Sequence, residues 1–159
     1  MTLMNRAVNA ILGATIGCLA LLAVLATPAA AQVGQLLDAN KATESELTAL
    51  PHMTPAIAKA MVEKRPFKTV VDLNKFLLDQ KLTQDQAKEF YAKAFVPINL
   101  NTGTKEEFLL IPRVGARMSA EFEEYRPWKT WGQFDKEIGK YVGQAETDRL
   151  KQYFFLPTS

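Results

Sequence analysis

The sequence is poor in the residues on which small enzymes most often depend. Its 159 residues include one cysteine, Cys18, and one histidine, His52. Two such residues cannot build a tetrahedral zinc site or a Cys/His catalytic pair with any redundancy, which disfavours metalloenzymes and thiol enzymes, and a disulfide scaffold is excluded outright. Neither sign of charge predominates: Lys+Arg 19 against Asp+Glu 17 gives a net charge of +2, which does not by itself announce a nucleic-acid or membrane binder. Most carboxylates fall in first helical turns or on polar faces, with no arrangement suited to acid–base work. No catalytic residue, metal site, cofactor or small-molecule substrate is expected, and the chain reads as non-enzymatic. What is present is ordinary for a folded protein, 48% hydrophobic and 23% charged residues, in a length that holds one domain or two small ones.

Charge is absent altogether from Ala7 to Leu37. Arg6 precedes this stretch, Ile11 to Ala26 is apolar or small throughout, and Thr27-Pro28 and Ala29-Ala30-Ala31-Gln32 follow. A basic start, an apolar run and an A-x-A ending make residues 1–31 a secretory signal peptide. The alternative is an uncleaved anchor, since the run is nearly long enough to span a bilayer; contact with a membrane follows in that case alone. Pro28 and the alanines break the run where a peptidase acts, which favours cleavage near Ala31 and a periplasmic or secreted protein. Thr15 is a poor residue three places before a lipoprotein cysteine, and the apolar run continues beyond Cys18, so Cys18 leaves with the signal. Cleavage there leaves 128 residues without cysteine, whose stability rests on packing.

The remainder is one unit written twice. Laying residues 38–73 on residues 99–134, at a constant offset of 61, gives nine identical pairs over 36 positions without a gap. They are Asn40/Asn101, Thr43/Thr104, Glu46/Glu107, Pro51/Pro112, Glu63/Glu124, Arg65/Arg126, Pro66/Pro127, Lys68/Lys129 and Thr69/Thr130. Leu47/Phe108, Leu50/Ile111, Met53/Val114, Ile57/Met118, Met61/Phe122, Phe67/Trp128 and Leu73/Phe134 are apolar in both copies. After one deletion the copies also end alike, in Phe95-Val96-Pro97 and Phe155-Leu156-Pro157. Internal duplication accounts for this pattern and divides the chain into units 32–97 and 98–159.

Each copy predicts four short helices. Thr43-x-x-Glu46 and Thr104-x-x-Glu107 are capping boxes, and those helices are expected to run to Pro51 and Pro112. The second starts at Thr54-Pro55 in one copy and after Gly115 in the other, and stops before Pro66 or Pro127. The third follows Thr69 or Thr130 and ends near Leu78 or Lys140. The fourth opens at Thr83-x-x-Gln86 or Gly143-x-x-Glu146. Strand-type alternation is absent, so the expected fold is all-α.

The connections Leu50-Pro51-His52-Met53-Thr54-Pro55 and Ile111-Pro112-Arg113-Val114-Gly115-Ala116 resemble the helix-hairpin-helix motif, usually hydrophobic-Pro-Gly-hydrophobic-Gly. The lead-in Ile98-Asn99-Leu100-Asn101-Thr102-Gly103-Thr104-Lys105-Glu106-Glu107-Phe108 and the trailing Tyr125-Arg126-Pro127-Trp128-Lys129-Thr130 are similar to those of the competence-type periplasmic DNA receptors of this superfamily. Second hairpins fall at Lys81-Leu82-Thr83 and Tyr141-Val142-Gly143. The resemblance covers nearly all of Leu37–Pro157 and implies two tandem double-hairpin units of four helices each.

In that family, hairpin amides and the following helix N-terminus hold a phosphate of double-stranded DNA without reading bases. Here the first hairpin glycine is replaced by His52, Lys81, Arg113 and Tyr141; the second survives as Gly115 and Gly143 but is Thr54 and Thr83 in the first copy. A threonine hydroxyl occupies the amides a phosphate would use. The resemblance therefore places candidate phosphate binding at Arg113, Val114, Gly115, Ala116, Arg117 and Gly143. The other reading is a docking or assembly module that has lost DNA, with an unidentified periplasmic protein as partner; a small extrinsic photosystem subunit of the superfamily looks like such a degenerate member. Charge supports the second reading, with nine basic and eight acidic residues in 32–97 and nine of each in 98–159. Lys59, Lys64, Arg65 and Lys68 form either a small basic patch or a solvated helix end. Trp128 and Trp131 either cap the core or offer a stacking surface, and His52 is expected to be an exposed polar residue.

Overall fold

The computed structural model describes residues 35–157, and the expected signal segment, with Cys18 and the Ala31 cleavage point, lies outside them. Threonine sets most helix starts. The Thr43 hydroxyl accepts from the Glu46 amide while the Glu46 carboxylate accepts from the Thr43 amide, opening α1 (Glu44–Thr48). The same reciprocal cap opens α3 (Val70–Asp79) from Thr69 and Asp72, α4 (Gln84–Tyr91) from Thr83 and Gln86, and α5 (Lys105–Leu109) from Thr104 and Glu107. Thr54 caps α2 (Pro55–Lys64) and Thr130 caps α7 (Trp131–Val142) through one hydrogen bond each. The remaining two, α6 (Ala116–Glu124) and α8 (Gln144–Lys151), begin on Gly115 and Gly143 with no side-chain cap. Helices α1 and α5 stop short of the prolines expected to end them, in tight turns where Leu50 N–H donates to Leu47 O at 3.0 Å and Ile111 N–H to Phe108 O at 3.1 Å.

The fold is mostly helical, and the all-α expectation needs correcting for four two-residue strands. Strand β1 (Leu37–Asp38) pairs in parallel with β2 (Ala94–Phe95), Leu37 opposite Ala94. Strand β3 (Ile98–Asn99) pairs in parallel with β4 (Phe154–Phe155), Ile98 opposite Phe154. Each pair ties the chain before a set of four helices to the chain after it. Two residues are too few to show the alternation by which a strand is read.

A side-chain clamp repeats that tie. The Asn40 amide donates to the Phe67 carbonyl at 2.9 Å and accepts from the Phe67 N–H at 2.8 Å. Asn101 grips Trp128 in the same way, at 2.9 and 2.6 Å. Behind the clamps lies a continuous apolar core. Leu47 and Phe108, Met61 and Phe122, and Leu73 and Phe134 are all 0% exposed. Met53 and Val114, and Phe67 and Trp128, are also buried. Leu50 and Ile111 differ, the first half-buried and the second buried. Phe108, Phe122, Phe134 and Phe154 form one aromatic cluster with ring centroids 5.1–5.9 Å apart. Tyr153 joins the halves, its ring 4.9 Å from Phe95 and its hydroxyl donating to the Tyr91 carbonyl.

Ser119 stands where α2 has Ala58, and both are fully buried. Its Oγ has no hydrogen-bond partner. A buried hydroxyl without a partner is destabilising, so Ser119→Ala should raise stability by about 1 kcal/mol. The check is a higher urea midpoint at unchanged m-value; a lower midpoint would mean that the hydroxyl is satisfied by water.

Candidate nucleic-acid interface

Four sharp turns join the paired helices. Those after α1, α3 and α5 reverse at His52, Lys81 and Arg113, whose φ angles are 62°, 70° and 68°. These are the positions of the motif's first glycine, and each non-glycine residue carries roughly 1 kcal/mol of backbone strain there. The fourth turn departs from the sequence reading. Tyr141 lies inside α7, and Gly143, at φ 78°, is the whole connection to α8. Helix α7 has 12 residues against 10 in α3, which shrinks the turn to one residue that must be left-handed.

The helix starts differ in what they leave open. In α6 the first intrahelical bond runs from Ser119 N–H to Gly115 O, so the amides of Ala116, Arg117 and Met118 remain open. In α8 it runs from Thr147 N–H to Gly143 O, leaving those of Gln144, Ala145 and Glu146. In the first half, Pro55 has no N–H and the Thr54 hydroxyl takes the Ile57 amide; the Thr83 hydroxyl takes the Gln86 amide. Each N-terminus also carries about half a positive charge from the helix dipole. A Cβ built at Gly115 would meet nothing within 4 Å, so the α6 terminus is open to close approach.

Six expected site residues thus separate by role. Gly115, Ala116 and Arg117 stand at the open terminus. Val114 is buried and its amide donates to Ile111 O at 3.1 Å. The Gly143 amide donates to Gly139 O at 2.8 Å, so this residue contributes the turn and not an N–H. The Arg113 guanidinium donates to Glu146 at 2.6 Å, tying its turn to α8. Arg149 binds the same carboxylate at 2.9 and 2.7 Å and the Pro112 carbonyl at 2.9 Å. These Arg149 hydrogen bonds, with Arg113 adding, hold the Glu146 carboxyl below its usual range. His52 plays a similar part in the first half, its Nε2 lying 2.7 Å from Glu89.

Beside the open α6 terminus, against the end of α7, lies a cleft of about 310 Å³ lined by Gly115, Arg117, Met118, Glu121, Tyr141 and Val142. Arg117 has no ion-pair partner among the described residues, and its guanidinium carbon sits 5.8 Å from the Tyr141 ring centroid. Lys140 lies 5.0 Å from that centroid and donates to the Tyr125 hydroxyl at 2.7 Å and to Glu137 at 2.9 Å. Both hydrogen bonds hold its ammonium charged to higher pH than usual. The hydroxyl contact with Tyr125 pushes the Tyr141 phenol up to about 12. Sequence reasoning missed the open amides of Met118, Gln144, Ala145 and Glu146 and the bracing role of Arg149. Gly143-x-x-Glu146 was the available signal, because it marks a helix start without a hydroxyl.

The other basic and aromatic candidates do not assemble. Trp128 is buried and its indole N–H donates to the Phe122 carbonyl at 2.8 Å, while Trp131 packs edge-on against Phe134; both belong to the core. Lys59 lies 4.0 Å from Glu63. Lys64, Lys68 and Lys75 line a groove of about 490 Å³ in which Asp72 and Asp79 alternate with them. Arg65 turns inward, with Nε and Nη2 buried and unpartnered, and burial lowers its pKa. Among the described residues no group of three or more His, Cys, Asp or Glu could hold a metal ion, and no helix is long and apolar enough to cross a membrane.

No curated protein and no solved structure matches the chain. A family model described as the helix-hairpin-helix motif, which is typical of nucleic-acid binding, matches residues 32–90, so the match ends within α4 and the open termini of α6 and α8 lie beyond it.

Proposed function

We propose that this protein is an exported, non-enzymatic binding module that grips the DNA backbone irrespective of sequence. The observation that carries the reading is the pair of uncapped termini, α6 and α8, the first beside a cleft, in a chain that carries a helix-hairpin-helix motif. Six open amides at two helix dipoles form an anion site that needs no basic surface. The offset of 61 and the two sets of four helices support a duplicated, tandem double-hairpin origin. The first half, with Thr54 and Thr83 on its own amides, then acts as a packing partner that has given up the ligand. The uncharged N-terminal run and the likeness to competence-type receptors support a periplasmic setting.

Anisotropy of a labelled duplex tests this. Binding should be weak, equal for unrelated sequences and lowered by salt. Each phosphate neutralised by a cationic side chain contributes about −0.9 to the slope of log affinity against log salt, and Arg117 beside the cleft predicts a shallow slope near −1. Absence of binding at low salt, about 50 mM, would overturn the reading in favour of the docking module, which the balanced charge of both halves supports.

A further inference from the structure

The cleft between α6 and α7 is not shaped for a phosphate. Its walls are the side chains of Met118 and Val142 and the Tyr141 ring, and the Glu121 carboxylate stands among them. A carboxylate repels a phosphate, and apolar walls do not replace its water. Both features suit a neutral, flat heterocycle with N–H groups to donate. Tyr141 is 41% exposed, so part of this aromatic side chain is open to solvent beside the cleft. Arg117 rests at the outer limit of cation–π range over the ring, so it is free to swing toward an incoming base or its phosphate. At about 310 Å³ the cleft falls at the small end of ligand sites.

We infer that this cleft takes an unpaired nucleobase, stacked against Tyr141, from a strand whose phosphates lie on the open amides beside it, so that the protein prefers single-stranded nucleic acid to duplex. The inference rests on the backbone-binding reading and extends it. In a duplex every base is paired and stacked, and filling the cleft would require flipping one out. A single strand offers its bases without that cost, and aromatic stacking is tolerant of which base arrives.

Anisotropy with one labelled strand of about 20 nucleotides, free and annealed to its complement, tests the inference at low salt. Wild type should bind the single strand about tenfold more tightly than the duplex. Tyr141→Ala should weaken single-strand binding about tenfold and duplex binding clearly less, so that the preference is lost, while Tyr141→Phe, which keeps the ring, should retain the preference. Equal wild-type affinity for both forms would overturn the inference and leave backbone binding standing. So would a Tyr141→Ala variant that loses both forms equally while Tyr141→Phe keeps them. Binding of neither form by wild type would overturn both readings together.

Discussion

Gly115→Asp should abolish DNA binding while leaving the protein at least as stable. Aspartate is a strong N-cap whose carboxylate accepts from the N–H groups of the first turn. At residue 115 it would occupy an amide of α6 and add a full negative charge where a phosphate has to sit. Like charges in one site oppose binding by several kcal/mol, so affinity should fall at least a hundredfold. The backbone accepts the change, because Gly115 has φ −103° and its Cβ would meet nothing within 4 Å. Asp in place of Gly at an N-cap stabilises by a few tenths of a kcal/mol, and the helix dipole adds a similar amount. Lost binding with a raised melting temperature would separate a blocked site from an unfolded one. Undiminished binding would show that α6 does not touch the phosphate.

The first half supplies the control. Thr54→Gly should release the Ile57 amide, now held at 3.2 Å by the threonine hydroxyl, and cost a few tenths of a kcal/mol in stability. It should add little affinity, because Pro55 still lacks an N–H at the first helical position. Arg113 is a poorer probe than either residue. Its guanidinium is bonded to Glu146, so a change there disturbs the brace between the turn and α8 as well as any ligand contact.

The helices were legible because threonine, proline and glycine punctuate this sequence by strong local rules. Thr43, Thr69, Thr83 and Thr104 each cap the helix whose start they mark in the sequence, since N-capping needs a residue and its neighbours three positions on and nothing from elsewhere. The strands were illegible for the converse reason. Leu37–Asp38 and Phe154–Phe155 are extended because a distant segment pairs with them, and two residues carry no period. The turn at Gly143 differs from the sequence expectation because its register depends on how far α7 continues, and α7 continues through Val142, which residue types near the turn do not dictate. At the site, the contrast of Thr54 and Thr83 with Gly115 and Gly143 was readable from residue types. The fate of Arg113 was not, since only folding brings Glu146 within 2.6 Å of it.

Asn101→Ala should cost about 3 kcal/mol of stability, a large share of what a domain this size holds. Asn40 and Asn101 are identical across the offset, and the sequence gives no reason for asparagine there. The structure supplies one. A carboxamide carries a donor and an acceptor side by side, and that pair matches the N–H and C=O of one residue's backbone. Asn101 uses both on Trp128, holding the loop after α6 against the lead-in to α5 where Trp128 packs on Phe134 at 5.3 Å. Alanine would leave a backbone donor and acceptor unmet beside a buried indole, and each such group costs about 1–3 kcal/mol. Aspartate would keep the acceptor for the Trp128 amide but face the Trp128 carbonyl with a second oxygen, so Asn101→Asp should also be costly. Asn40→Ala should behave alike through Phe67. Urea unfolding measures all three variants. A loss below about 1 kcal/mol for Asn101→Ala would mean that water replaces the amide at little cost, and the clamp would then not be what fixes this loop.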